Sequence, residues 1–73
     1  MHQEARGNLR KTYGVDDSLI NALVARFDKE KPKVIENILL LYMTGELDLG
    51  QKITALQHDV IKVYKQLRKK RIR

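Results

Sequence analysis

Seven basic side chains crowd the end of the chain: Lys62, Lys65, Arg68, Lys69, Lys70, Arg71 and Arg73, with no acidic residue among residues 60–73. On a helix, Lys62, Lys65 and Lys69 share a face, and Arg68 and Arg71 lie beside it. The chemistry of such a ridge is electrostatic. It can neutralise a row of phosphates, with an affinity that falls steeply as salt rises. Residues 1–59 carry eight Lys/Arg against nine Asp/Glu, a net of −1, so the formal charge of +6 is concentrated in one segment. One or two cations would satisfy a helix C-terminus through its dipole, and seven exceed that need. Clustering of this kind points to a nucleic-acid partner, with DNA favoured over RNA. An anionic membrane surface is disfavoured, because the apolar side of the same helix is needed for packing. The run RKKR also has the composition of a nuclear import signal, a pattern common to basic proteins.

Tyr64 lies among Lys62, Lys65 and Arg68, and an aromatic ring inside a basic patch can stack on a base. Tyr13, Tyr42 and Tyr64 all fall on apolar faces, which makes core packing the competing expectation for each. Residues for covalent or acid–base chemistry are sparse. His2 stands near the N-terminus, and His58 sits beside Asp59, one residue apart and so on different helix faces. Ser18 is the only serine, and there is no cysteine. No His, Cys or carboxylate set has metal-ligand spacing. The four glycines, Gly7, Gly14, Gly45 and Gly50, are scattered rather than gathered into a phosphate loop. No enzyme activity, metal, cofactor or small-molecule substrate is expected.

The elements that must carry these residues are helical. Residues 32–45, PKVIENILLLYMTG, form the most apolar run, with Pro32 suited to a first helical position and Gly45 to a stop. Its pattern predicts a helix over 32–44 that is apolar nearly all round and needs cover on several sides. Before it, Ala5, Leu9 and Tyr13 recur every four positions and predict a short helix over 2–13, closed by Gly14. Ile20, Leu23, Val24 and Phe27 follow the i, i+3, i+4, i+7 rule and predict a second helix over about 17–29. Asp16, Asp17 or Ser18 would cap it. After the central run, Asp48 with Gln51 resembles a capping box. Leu49, Ile53, Leu56, Val60, Val63 and Leu67 then form a heptad stripe, widened by Ile61 and Tyr64. That predicts one long helix from about residue 48 to 70.

The stripe has two uses. It can pack on the preceding helices, since bundles share this spacing. Its end, Val60, Val63, Tyr64 and Leu67, can instead meet a protein partner or a second copy in a homodimer. A chain of 73 residues has a small core, which makes self-association worth having. A helix-turn-helix built on FDKEKP is disfavoured, because the second helix of that motif presents polar side chains to the major groove, and this one offers Ile, Leu and Met.

The stretch DDSLINALVARFDKEKPKVIENILLLYMTG resembles the ubiquitin-associated and CUE-type three-helix domains in its rhythm of capped helix, charged turn and Leu-rich helix. The resemblance covers about residues 9–45. The family's Met-Gly-Phe or Met-Phe-Pro signature is replaced by Tyr13-Gly14-Val15, so no binding residue is carried over.

The expectation is an all-α, four-helix domain over residues 1–73, with a central apolar helix and a long C-terminal helix whose basic end spans 60–73. A small nucleic-acid-binding regulator fits this best, and a protein-interaction module docking through the last helix is the alternative. The longest apolar run, residues 38–43, is far short of a membrane span, and MHQEARGNLRK lacks the apolar core of a secretory signal. A cytoplasmic location, on the nucleoid or in a nucleus, follows as the expectation.

Overall fold

The computed structural model describes residues 4–47 and 54–71, with side chains placed for 5–47 and 54–69. Four helices make up the described chain: α1 (Glu4–Lys11), α2 (Asp17–Ala25), α3 (Pro32–Thr44) and α4 (Ala55–Arg71). The architecture is all-α. Helix α3 packs against α1, α2 and α4.

The limits of α3 follow from its sequence. Pro32 occupies the first turn, and Gly45 closes the helix at φ 83°. The Gly45 N–H reaches the Tyr42 carbonyl at 3.2 Å, and the Glu46 N–H reaches the Leu41 carbonyl at 2.9 Å. This paired closure is a Schellman motif, which needs the left-handed backbone that glycine takes without penalty.

The other ends differ from expectation in instructive ways. Helix α1 stops at Lys11, two residues early, and Gly14 takes φ 68° as the turn requires. Helix α2 stops at Ala25 rather than near 29. Beyond it the Arg26 and Phe27 N–H groups bond three residues back, to Leu23 and Val24, and Glu30 bonds Phe27 the same way. These tight turns reverse the chain ahead of Pro32 while Phe27 still packs on the core. Asp16 holds the N-cap position of α2 but makes no side-chain capping bond. The Asp17 carboxylate is drawn instead to Arg6 and Arg10 of α1, at 4.0 and 3.4 Å.

Helix α4 begins at Ala55, well after residue 48. Thr54 Oγ1 accepts from the Gln57 N–H at 3.1 Å, and Gln57 Oε1 accepts from the Thr54 N–H at 3.0 Å. The capping box is therefore Thr54 with Gln57. The expected Asp48–Gln51 cap and the stripe positions Leu49 and Ile53 lie outside the described residues. Thr54→Ala should cost about 1 kcal/mol of stability. A urea titration checks this as a lower midpoint at unchanged slope, and an unmoved midpoint would refute the capping role.

The core is built from Leu9, Val15, Leu19, Ile20, Leu23, Ile35, Ile38, Leu39, Val60, Ile61 and Tyr64, all buried. It supplies the cover that α3 demands: α1 and α2 on some sides and α4 as the remaining wall. Tyr13 departs from the expected α1 stripe and is 39% exposed. It lies past the end of α1, in the turn. Val34 of α3 is also exposed.

Candidate nucleic-acid interface

Seventeen residues of α4 carry both the last wall of the core and the basic ridge. The two functions sit on different faces. Val60, Ile61 and Tyr64 point inward and are buried, and Leu56, Val63 and Leu67 pack at the core's edge. Lys62, Lys65, Arg68 and Lys69 are exposed. The side chains of Lys70 and Arg71, and all of Arg73, lie outside the described set. The backbone of α4 does continue to Arg71.

Two of the expected partner-contact residues are corrected by burial. Val60 is 0% exposed and Tyr64 is 3% exposed, because α2 and α3 both pack on α4 and take up the stripe inside one subunit. Val63 and Leu67 are partly buried and still reach the surface. Tyr64 likewise cannot serve as an open stacking platform. Burial pushes its phenol above the usual tyrosine range, and the Arg68 guanidinium beside it partly offsets that rise.

The aromatic ring that does face the ridge is Tyr42, near the end of α3. Its centroid is 6.2 Å from that of Tyr64, with the planes at 67°, an edge-to-face pair. The Lys65 Nζ lies over the Tyr42 ring, 5.8 Å from the centroid. Tyr42, Lys65, Arg68 and Lys69 together line an open cleft of about 400 Å³. Sequence reasoning missed Tyr42 as a ridge residue because its place there depends on α3 crossing α4.

Arg26 was missed as well. It follows α2 and lines a second cleft with Gln66, Leu67 and Lys69, extending the basic surface off α4. A third groove, with Tyr13, Asp16, Tyr64 and Arg68 in its wall, is less suited to an anion, because the Asp16 carboxylate sits in it.

His58 and Asp59 approach to 3.8 Å at an exposed site on the first turns of α4. Among the described residues no three His, Asp or Glu side chains gather as a metal site, and no described helix is long and apolar enough to cross a membrane. What the arrangement offers is a row of exposed cations beside a half-buried aromatic ring. No protein-family model matches the chain, and no curated protein or solved structure is significantly similar to it, so a functional reading rests on this geometry.

Proposed function

We propose that this is a small non-enzymatic regulator or accessory factor that binds nucleic acid, DNA before RNA, through the basic face of α4. The observation that carries the reading is the exposed ridge of Lys62, Lys65, Arg68 and Lys69 on a segment without a single acid. Cations left facing water are available to phosphates. Arg26 widens the same surface from a second element.

Contacts of this kind go to the backbone of the nucleic acid and fix its position without reading sequence. The test is binding to duplex and single-stranded oligonucleotides across a salt series. With about five phosphates neutralised, the slope of log affinity against log salt on a duplex is about −4 to −5. The variant Lys65→Gln/Arg68→Gln/Lys69→Gln should make that slope shallower by about 3. Binding that is absent at low salt, or that keeps its slope in the triple variant, would overturn the reading. Glutamine keeps the stems and the helix propensity, so the helical circular dichroism of the variant should match the parent.

The second reading is a protein-interaction module, an adaptor or inhibitor of a larger regulator, docking through Val63 and Leu67. The partial exposure of these two, with Leu67 beside Arg26, favours it. In that case apolar-to-polar changes at Val63 and Leu67 abolish partner binding, and removing the ridge charges mainly slows association. A homodimer through the same edge would double the mass seen by light scattering and vanish with the same two changes.

A further inference from the structure

We infer that Tyr42 is a base-stacking platform set into the basic ridge, and that the preferred ligand is single-stranded nucleic acid with one unpaired base on that ring. The inference rests on the reading of α4 as a phosphate-binding surface and adds what the ridge alone cannot supply, a preference for exposed bases.

The geometry has three parts. The ring is held from one side: Tyr64 is buried and meets it edge-to-face at 6.2 Å, so its orientation is fixed by the core rather than by solvent. Lys65, Arg68 and Lys69 rim the cleft in which the ring lies, so a nucleotide entering it would meet cations around the aromatic surface. Over one face of the ring stands the Lys65 ammonium, at 5.8 Å on a flexible stem. A cleft of about 400 Å³ falls within the roughly 300–1,000 Å³ typical of ligand sites.

The competition for that face can be settled by magnitude. An exposed cation–π contact contributes about two- to fivefold to an equilibrium. A base stacked on an aromatic side chain contributes about five- to 150-fold. The base therefore displaces the ammonium, and the freed Lys65, on its four-carbon stem, can turn to a neighbouring phosphate. A duplex cannot use the site, because its base faces are covered by their own stack. Tyr64, the other aromatic of the pair, is excluded by its burial.

The experiment compares oligo-dT with an abasic strand of equal length, which has the same phosphates and no bases. Fluorescence anisotropy of each labelled strand reads the affinity at one fixed salt. The expected result is oligo-dT bound about tenfold tighter than the abasic strand. Tyr42→Phe should preserve that ratio, and Tyr42→Leu should bring it to about one. The chain has no tryptophan, so Tyr42→Trp adds a single reporter. Its emission should be quenched by oligo-dT and unaffected by the abasic strand. Equal binding of the two strands by the unmodified protein overturns the platform and leaves the phosphate ridge standing. A preference that survives Tyr42→Leu overturns it too, since the base then rests elsewhere. No binding of either strand overturns the platform, and a duplex still bound at the same salt leaves the phosphate ridge standing. The comparison on the unmodified protein needs no substitution, so a Tyr42→Leu chain that fails to fold does not rescue the idea.

Discussion

Leu39→Ala lowers the unfolding free energy by about 3–5 kcal/mol, while Val34→Ala on the same apolar helix costs no more than about 0.5 kcal/mol. Leu39 is 0% exposed at the centre of the four helices, and Val34 is 37% exposed. Removing buried methyl groups forfeits their transfer from water, and it also leaves the neighbouring side chains facing a void without dispersion partners. Removing exposed ones forfeits little. Domains of this kind have total stabilities near the lower end of about 5–15 kcal/mol, so Leu39→Ala leaves the chain barely folded. Urea denaturation checks the pair directly. With a slope of about 1 kcal/mol/M for a small protein, the Leu39→Ala midpoint moves by about 3 M or the transition disappears into the baseline. Equal costs at the two positions would mean that Val34 is buried in solution, against a second copy, and that the wall around α3 is incomplete in one subunit.

That contrast bears on what could be read from the sequence. Residues 32–45 announce a helix with a proline start and a glycine stop, and α3 runs over those positions because both signals act through the local backbone. Its need for cover was legible too, and α4 supplies the missing wall. Which of its apolar residues face inward was not legible. With so many apolar positions the periodicity has no clear phase, and only the placement of α1, α2 and α4 makes Ile35, Ile38 and Leu39 buried and Val34 exposed. Helix ends were legible only where one candidate existed. Two pairs, Asp48 with Gln51 and Thr54 with Gln57, offer the same capping chemistry at the same spacing, and the described start of α4 uses the second. The end of α2 was hidden because Phe27 keeps the helical spacing while the backbone has already tightened. Val15 and Leu19 were missed as core residues for a related reason. Val15 lies in a turn, with its N–H on the Leu9 carbonyl at 2.8 Å, and Leu19 falls beside the i, i+3, i+4 set rather than in it.

The candidate site divides along the same line. The basic ridge is local to one helix, so its spacing gave its face directly, and Lys62, Lys65, Arg68 and Lys69 are exposed together. The aromatic partner is not local. Tyr64 shares the helix and attracted the stacking role by proximity in sequence, yet its ring is consumed by the core. Tyr42 reaches the ridge only because α3 ends against α4. The Arg26 extension has the same origin.

The ion pair between α1 and α3 is the feature least visible in the sequence, its partners thirty positions apart, and Arg6→Met should expose its weight. Arg6 donates to Glu36 Oε2 from Nε at 3.1 Å and from Nη2 at 3.0 Å. The Glu36 side chain is only 11% exposed, while that of Arg6 is 32% exposed. Coulombic attraction is therefore stronger here than at the surface, and so is the penalty for an unpaired carboxylate. Arg6→Met keeps the stem that covers α3 and strands Glu36 against the core. The expected loss is about 2–3 kcal/mol, below the roughly 3–5 kcal/mol of a fully buried pair because Arg6 keeps partial contact with water. Arg10→Met sets the scale, since the Arg10–Asp17 pair is about half exposed on both sides and contributes about 0–1 kcal/mol. Adding Glu36→Leu to Arg6→Met should recover most of the loss, because an apolar pair of similar volume replaces two charges that had to be desolvated. A double-mutant cycle by urea denaturation reads the coupling, expected at about 1–3 kcal/mol. An Arg6→Met cost no greater than that of Arg10→Met, with no recovery in the double variant, would mean that α1 is held to α3 by Leu9 alone.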